Sequence, residues 1–319
     1  MIFYVIIYDK EHFLNRKVYF SGTVMLVLCA LFWGTTFLAQ SSAMSSIGPF
    51  AFSAFRSLVG AVLLFIWYLI THRKNAFVPF QKKNLKLTLT GGITCGVVLF
   101  CAANLQNIGL KEASAGKAAF ITSLYILIVP IIGLFLKKRP SFIVWVCCGV
   151  SVIGFYMLNI NPNDGFSISI WEIIILICAI FFSVHIIVCD KYGEKIDVVL
   201  LSCIQFTVVS VLSFIFMFVD VVALGYIFPN LTVLSKTWFS ILYAAVFSSA
   251  LAYTLQIAGQ KRVPPTAAVL LMSLESIFAV VADWLINKNA LSLVQTAGCC
   301  LIFTAICVAQ LPIGNKKTK

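Results

Sequence analysis

The 319 residues are 61% apolar and only 11% charged, with a mean hydropathy of +1.03 and a net charge of +12. A soluble domain is about half apolar and about a quarter charged, so a water-soluble globular protein is excluded. The basic excess does not mark a nucleic-acid binder either, because the charges are sorted by position along the chain.

Apolar runs long enough to cross about 30 Å of hydrocarbon at about 1.5 Å per residue recur over 18–40, 49–70, 87–108, 115–136, 141–160, 170–189, 198–219, 235–257, 265–286 and 294–311. The pattern predicts an all-α integral membrane protein with ten transmembrane helices. Residues 1–17 precede the first span as a cytoplasmic extension. Their apolar run 1–8 is too short to span, and Asp9 and Glu11 follow it in place of a small-residue cleavage site, so it does not read as a signal peptide. Residues 313–319 form a basic tail, and linkers such as 41–48, 161–165 and 287–289 are short bends. Of the 23 Lys and Arg residues, 18 fall in the N-terminal extension, the loops after the even spans and the tail. The other side holds Lys111, Lys236 and Lys288, while Arg56 and Lys117 lie within spans. The positive-inside rule then places both termini in the cytoplasm, with the chain in the cell membrane. The 11 cysteines sit in the spans, odd in number and without a CxxC pair, which predicts neither a disulfide framework nor a zinc site.

The chain also repeats itself. Leu28-Cys-Ala-Leu-Phe-Trp-Gly34 aligns with Ile177-Cys-Ala-Ile-Phe-Phe-Ser183 at a lag of 149, and Val59, Val62, Leu63, Phe65 and Ile66 meet Val208, Val211, Leu212, Phe214 and Ile215 at the same lag. Leu105-Gln106 matches Leu255-Gln256 at 150, Ala118-Ala119 matches Ala267-Ala268 at 149, Ser123-Leu124 matches Ser273-Leu274 at 150, and Gly149 matches Gly298 at 149. Two five-helix repeats follow, 18–160 and 161–312, forming one membrane domain. Because five is odd, the second repeat enters the membrane upside down relative to the first, an arrangement characteristic of alternating-access transporters.

Trp33-Gly34, Arg56, the run Ala115-Gly-Lys-Ala-Ala-Phe-Ile-Thr-Ser-Leu-Tyr125 leading to Val129-Pro130, and Ala267-Ala268 followed by Ser273-Leu274-Glu275 resemble the EamA-type transporters of the drug/metabolite transporter superfamily, over about residues 18–312. The resemblance implies a central cavity lined chiefly by helices 3, 4, 8 and 9, with 1 and 6 contributing and with 5 and 10 peripheral. It also implies secondary transport of a small metabolite, often export of amino acids. Many members carry Gly-Glu after helices 4 and 9, where this chain has Lys137-Lys138 and Lys288-Asn289.

An ionisable residue deep in a span is a functional candidate, since a charge in hydrocarbon is costly unless paired or wetted. Glu275, about ten residues into the ninth span, sits near the bilayer centre. A carboxyl that meets hydrocarbon in one state and water in another can bind and release a coupling proton, or it can hold a cationic substrate group. A structural ion pair or hydrogen bond that locks the ninth helix is the competing role. Arg56 stands inside the second span, where bracing a loop or helix end is the leading expectation and substrate contact the other. Lys117 faces either the cavity mouth or the surface. Asn104, Gln106, Tyr125, Tyr253 and Gln256 can orient a ligand or tie helices together. Trp33 lines the cavity or fills the bundle. His185 is expected to pack against a hydrogen-bond partner, with proton relay as the alternative.

The chain has no phosphate-binding loop, HExxH pair or GxSxG elbow, so no cofactor, metal or ATP is expected and the expected partners are a small-molecule substrate and membrane lipid. Two other readings remain beside the transporter. One is a membrane-embedded lipid-group transferase using Glu275 and His185 as acid and base, and the other a facilitated-diffusion channel. The enzyme requires those two side chains to converge, and the channel requires a continuous pore.

Overall fold

A computed structural model describes residues 10–73, 79, 81–113, 115–137, 140–159, 169–288 and 291–309. It is an all-α bundle: α1 (Lys10–Met44), α2 (Pro49–His72), α3 (Lys82–Gly109), α4 (Ala115–Thr122 and Tyr125–Phe135), α5 (Phe142–Asn159), α6 (Ile170–Gly193), α7 (Val198–Phe216 and Phe218–Val222), α8 (Leu231–Tyr243, Ala244–Ala252 and Tyr253–Gln260), α9 (Pro265–Met272 and Glu275–Asn287) and α10 (Leu293–Ala309). Eight of the ten are long and apolar enough to cross a membrane, and α5 and α10 are shorter apolar helices. The first helix begins at Lys10 and so takes in part of the predicted extension; residues 1–9 and the tail 313–319 lie outside the described residues.

The helices turn apolar side chains outward and keep their polar side chains inward among small and large apolar ones, the arrangement a lipid solvent favours. On α2, Leu58, Val62, Phe65, Ile66 and Ile70 are exposed, while Ser53, Arg56, Ser57 and Gly60 are buried. The helix starts are secured locally. Ser169 and Glu172 form a capping box on α6, and Asp197 and Asn230 accept from Leu200 N and Val233 N at the starts of α7 and α8.

Helix packing follows the duplication. Counterparts pair directly in α2 with α7, α4 with α9, and α5 with α10. Exchanging the repeats turns the α3–α6 contact into α8–α1 and the α3–α7 contact into α8–α2, and all of these are present. Paired counterparts run antiparallel. Asp220, at the end of α7, accepts from Phe50 N and Ala51 N at the start of α2, at 3.1 and 2.8 Å. At the opposite end His72 Nε2, closing α2, lies 3.4 Å from Asp197 Oδ2, which caps the start of α7. The repeats are therefore inverted, around an axis that crosses the bundle between α2 and α7.

Two local features were not read from the sequence. First, α4 and α9 are each broken, at Ser123-Leu124 and Ser273-Leu274. In both breaks the serine hydroxyl turns back on its own helix, to Ala119 O at 2.8 Å and Leu270 O at 2.7 Å, competing with the backbone ladder. The two helices start 150 residues apart as well as break 150 apart, so Ala118 corresponds to Ala268, one residue from the sequence alignment. Second, α8 winds Ala244–Ala252 as a π-helix. Helices α3 and α8 begin 149 residues apart, at Lys82 and Leu231, whereas Gln106 and Gln256 are 150 apart. The extra residue is taken up inside α8, and a π-bulge accommodates such an insertion without ending the helix.

Candidate functional site

A narrow cavity lies between the repeats. Trp33, Thr36, Phe37 and Gln40 line it from one face of α1, at the spacing that puts residues in one helical stripe. Arg56 of α2, Gln106 of α3, Thr122 and Tyr125 of α4, Phe182 of α6, Ser248 and Tyr253 of α8, and Glu275 of α9 complete it. Ser248 belongs to the π-helical stretch.

The centre of this wall coincides with the two helix breaks. Tyr125 and Glu275 are the residues immediately after them, 150 apart, hence counterparts in the two repeats. The Tyr125 hydroxyl donates to Glu275 Oε1 at 3.0 Å, and both side chains are buried. Beside them the Ser123 and Ser276 hydroxyls lie 2.8 Å apart. The Glu275 backbone is held from α1 by Gly34, where an added Cβ would stand 2.5 Å from the Glu275 carbonyl oxygen. A side chain is thus excluded where α1 crosses α9, which accounts for the glycine after Trp33.

Arg56 is 3% exposed and has no ion-pair partner among the described residues. Its Nε has no acceptor, and its Cζ stands 5.6 Å from the Phe52 ring centroid. Among the described residues no hydrogen bond from this side chain braces a loop or helix end. Glu275 likewise has no cationic partner within ion-pair distance among the described residues. Trp33 packs edge-on against Tyr253 with centroids 4.9 Å apart, and its Nε1 has no acceptor.

A second polar group, Gln40 with Asn107, went unnoticed in the sequence. Gln40 Nε2 donates to Asn107 Oδ1, and Asn107 Nδ2 donates to Ser53 Oγ at 2.9 Å. Gln106 Nε2 donates to Thr122 Oγ1 at 3.1 Å. Together they join α1, α2, α3 and α4 at the Met44 end of the cavity. The available signal was the stripe Trp33, Thr36, Phe37, Gln40, which carries two polar residues at helical spacing on one face of the span.

Of the other residues singled out from the sequence, Asn104 donates to Phe100 O and Ser213 Oγ, at 2.9 and 3.2 Å. His185 Nε2 lies 3.1 Å from Gln205 Oε1 and 3.3 Å from Cys189 Sγ. Gln256 is fully buried, and neither end of its amide has a partner among the described residues. None of these three lines the cavity, so Glu275 and His185 do not converge there. Lys117 stands in the first turn of α4, and its side chain lies outside the described residues. Among the described residues no three metal-ligating side chains gather.

The sequence profile of the EamA-like transporter family matches the chain twice, over residues 20–160 and 169–310. The chain belongs to that family. Each EamA match covers five helices, in agreement with the inverted halves seen in the packing. The chain is 28% identical to an uncharacterized transporter of Archaeoglobus fulgidus over 294 residues, covering 90% of this chain and 85% of the relative. It is 24% identical to the uncharacterized transporter YetK of Bacillus subtilis over 304 residues, covering 92% and 88%. A solved crystal structure superposes with a TM-score of 0.71 at 17% identity, covering 91% of this chain and 96% of its own, and so shares the fold. This EamA protein is a multi-pass membrane protein, and its family and relatives place it with transporters of small molecules and not with enzymes.

Proposed function

We propose that this EamA protein is a proton-coupled secondary carrier that moves a small metabolite such as an amino acid out of the cell by alternating access, with both termini in the cytoplasm. The observation that supports this most directly is the Tyr125–Glu275 hydrogen bond, which joins counterpart positions of the two repeats where both helices break. Rocking one repeat against the other pivots about this point. A carboxylate accepts a hydrogen bond about twice as strong as a neutral acceptor does, so a proton arriving on Glu275 loosens the tie and a departing proton restores it. Glu275 thereby couples its own charge to the relative position of the halves. The outward direction and the amino-acid class are those implied by the resemblance of the motifs, and the cytoplasmic termini rest on the sorting of basic residues.

The test is reconstitution into liposomes with labelled amino acids, with and without a pH gradient. Collapsing the gradient is expected to abolish accumulation by the wild type. Glu275→Gln, which keeps the shape and an acceptor for Tyr125 but removes the titrating group, is expected to abolish gradient-driven accumulation as collapsing the gradient does. A folded Glu275→Gln protein with unchanged transport and unchanged pH dependence ends the proposal.

A further inference from the structure

The Arg56 guanidinium stays charged at any physiological pH, and a buried charge without a partner is strongly unfavourable. Here no described carboxylate pairs with it, its Nε is orphaned, and the face of Phe52 is a weak substitute. Its repeat counterpart Gln205 is neutral, and the Gln205 Oε1 is engaged with His185, so the duplicated scaffold does not require a cation at this place. Trp33 presents a second orphan, a buried indole N–H with no acceptor. Both groups are donors only, and both stand on the wall of one cavity. The complement of two orphaned donors, one of them cationic, is an anionic acceptor. With Glu275 protonated, one guanidinium offsets one negative charge, and a doubly charged phosphate would leave an excess. The monoanion that matches the planar fork of arginine is a carboxylate.

We infer that Arg56 and Trp33 Nε1 form a subsite that takes the substrate's carboxylate, so that the protein binds carboxylate-bearing compounds and not the amines obtained by removing that group. The inference deepens the carrier reading and rests on it for transport, whereas the binding rule can be measured separately.

The experiment uses the full chain purified in detergent and a panel of the standard amino acids, each beside its decarboxylated amine, with affinity read from the shift in thermal unfolding. The expected result is that every stabilising compound carries a carboxylate and that its amine gives no shift. Arg56→Gln is expected to weaken binding at least about tenfold, as for a lost hydrogen bond to a charged group. Trp33→Phe, which keeps a ring against Tyr253 and removes only the N–H, is expected to weaken it severalfold and decides the matter should Arg56→Gln fail to fold. An amine that binds as tightly as its parent acid, a panel in which nothing binds, or wild-type affinity in the folded variants overturns the subsite. Counterflow in liposomes separates the two levels. If the carboxylate rule holds in detergent and counterflow is absent, the carrier reading fails while the subsite stands; counterflow of an amine independent of Arg56 leaves the carrier and removes the subsite.

Discussion

The first repeat puts a tyrosine after its helix break and the second a glutamate; the first puts an arginine on the α2–α7 pair and the second a glutamine; the first puts a glycine at the crossing of α1 with α9, where the second has Ser183 on α6. The backbones nonetheless follow one plan, down to the paired breaks of α4 and α9. A side chain near the axis of an inverted repeat meets its own counterpart, so identical residues there would confront each other. Two glutamates would place like charges in one cavity, and two tyrosines would supply no carboxylate acceptor. Tyr125 opposite Glu275 gives a donor and an acceptor instead. Chemical divergence at the axis thus supplies the donor–acceptor pair, while the backbone keeps one plan in both repeats.

The crossing of α1 with α9 tests how far that divergence extends into packing. Gly34 faces the Glu275 carbonyl so closely that a Cβ would stand 2.5 Å from it, whereas Ser183 is buried and bonds Ala179 O at 2.8 Å. Installing the counterpart residue should therefore act unequally. Gly34→Ser is expected to cost about 1–3 kcal/mol or more by overpacking and to displace Glu275, abolishing transport. Ser183→Gly is expected to cost only about 0.5–1 kcal/mol, the penalty for glycine in a helix. Thermal unfolding in detergent and transport in liposomes read both, and equal tolerance of the two substitutions would show that the repeats pack alike here.

The next contrast is between α3 and α8. Gln106 holds Thr122, while its counterpart Gln256 has no partner at either end of its amide. Gln106→Leu leaves a buried hydroxyl without its donor and is expected to destabilise by about 1–3 kcal/mol. Gln256→Leu removes two unpaired buried atoms and is expected to leave the unfolding temperature unchanged or higher. A large loss from Gln256→Leu would mean that Gln256 has a partner, and the asymmetry between the two helices would disappear.

The scaffold was largely legible from sequence because its signals are additive. Twenty apolar residues spell a span whatever their neighbours are, and matches weak one at a time become a repeat when they hold over five helices in order. Glu275 was legible for a different reason, as a single charge that hydrocarbon does not tolerate alone, and it stands on the cavity wall. The breaks after Thr122 and Met272 were not, because Ser123 and Ser273 are common in spans and only their turn toward Ala119 O and Leu270 O shows that the ladder tightens there. Nor was the place of Arg56 on the cavity wall, because hydropathy does not show which face of α2 meets the cavity. The one-residue change in lag was visible, but a loop insertion reads the same as a π-turn within α8.

The smallest contrast lies between this chain and the family pattern, and the two repeats share it. Lys137 after α4 and Lys288 after α9 both adopt left-handed backbone, with φ of 60° and 59°, at the places where resembling sequences carry the glycine of Gly-Glu. A residue with a Cβ pays about 1–2 kcal/mol for that conformation and glycine does not. Lys137→Gly and Lys288→Gly are each expected to raise stability by about 1 kcal/mol, less the entropy glycine adds to the unfolded chain. Alanine at the same positions is the control, since it removes the charge and keeps the Cβ, and it is expected to bring no gain. If alanine and glycine stabilise equally, the relevant quantity is the lysine charge and not the backbone; if only glycine does, both helix ends are strained in the same way, and the symmetry of the repeats reaches the loops that the conserved backbone plan leaves most free to vary.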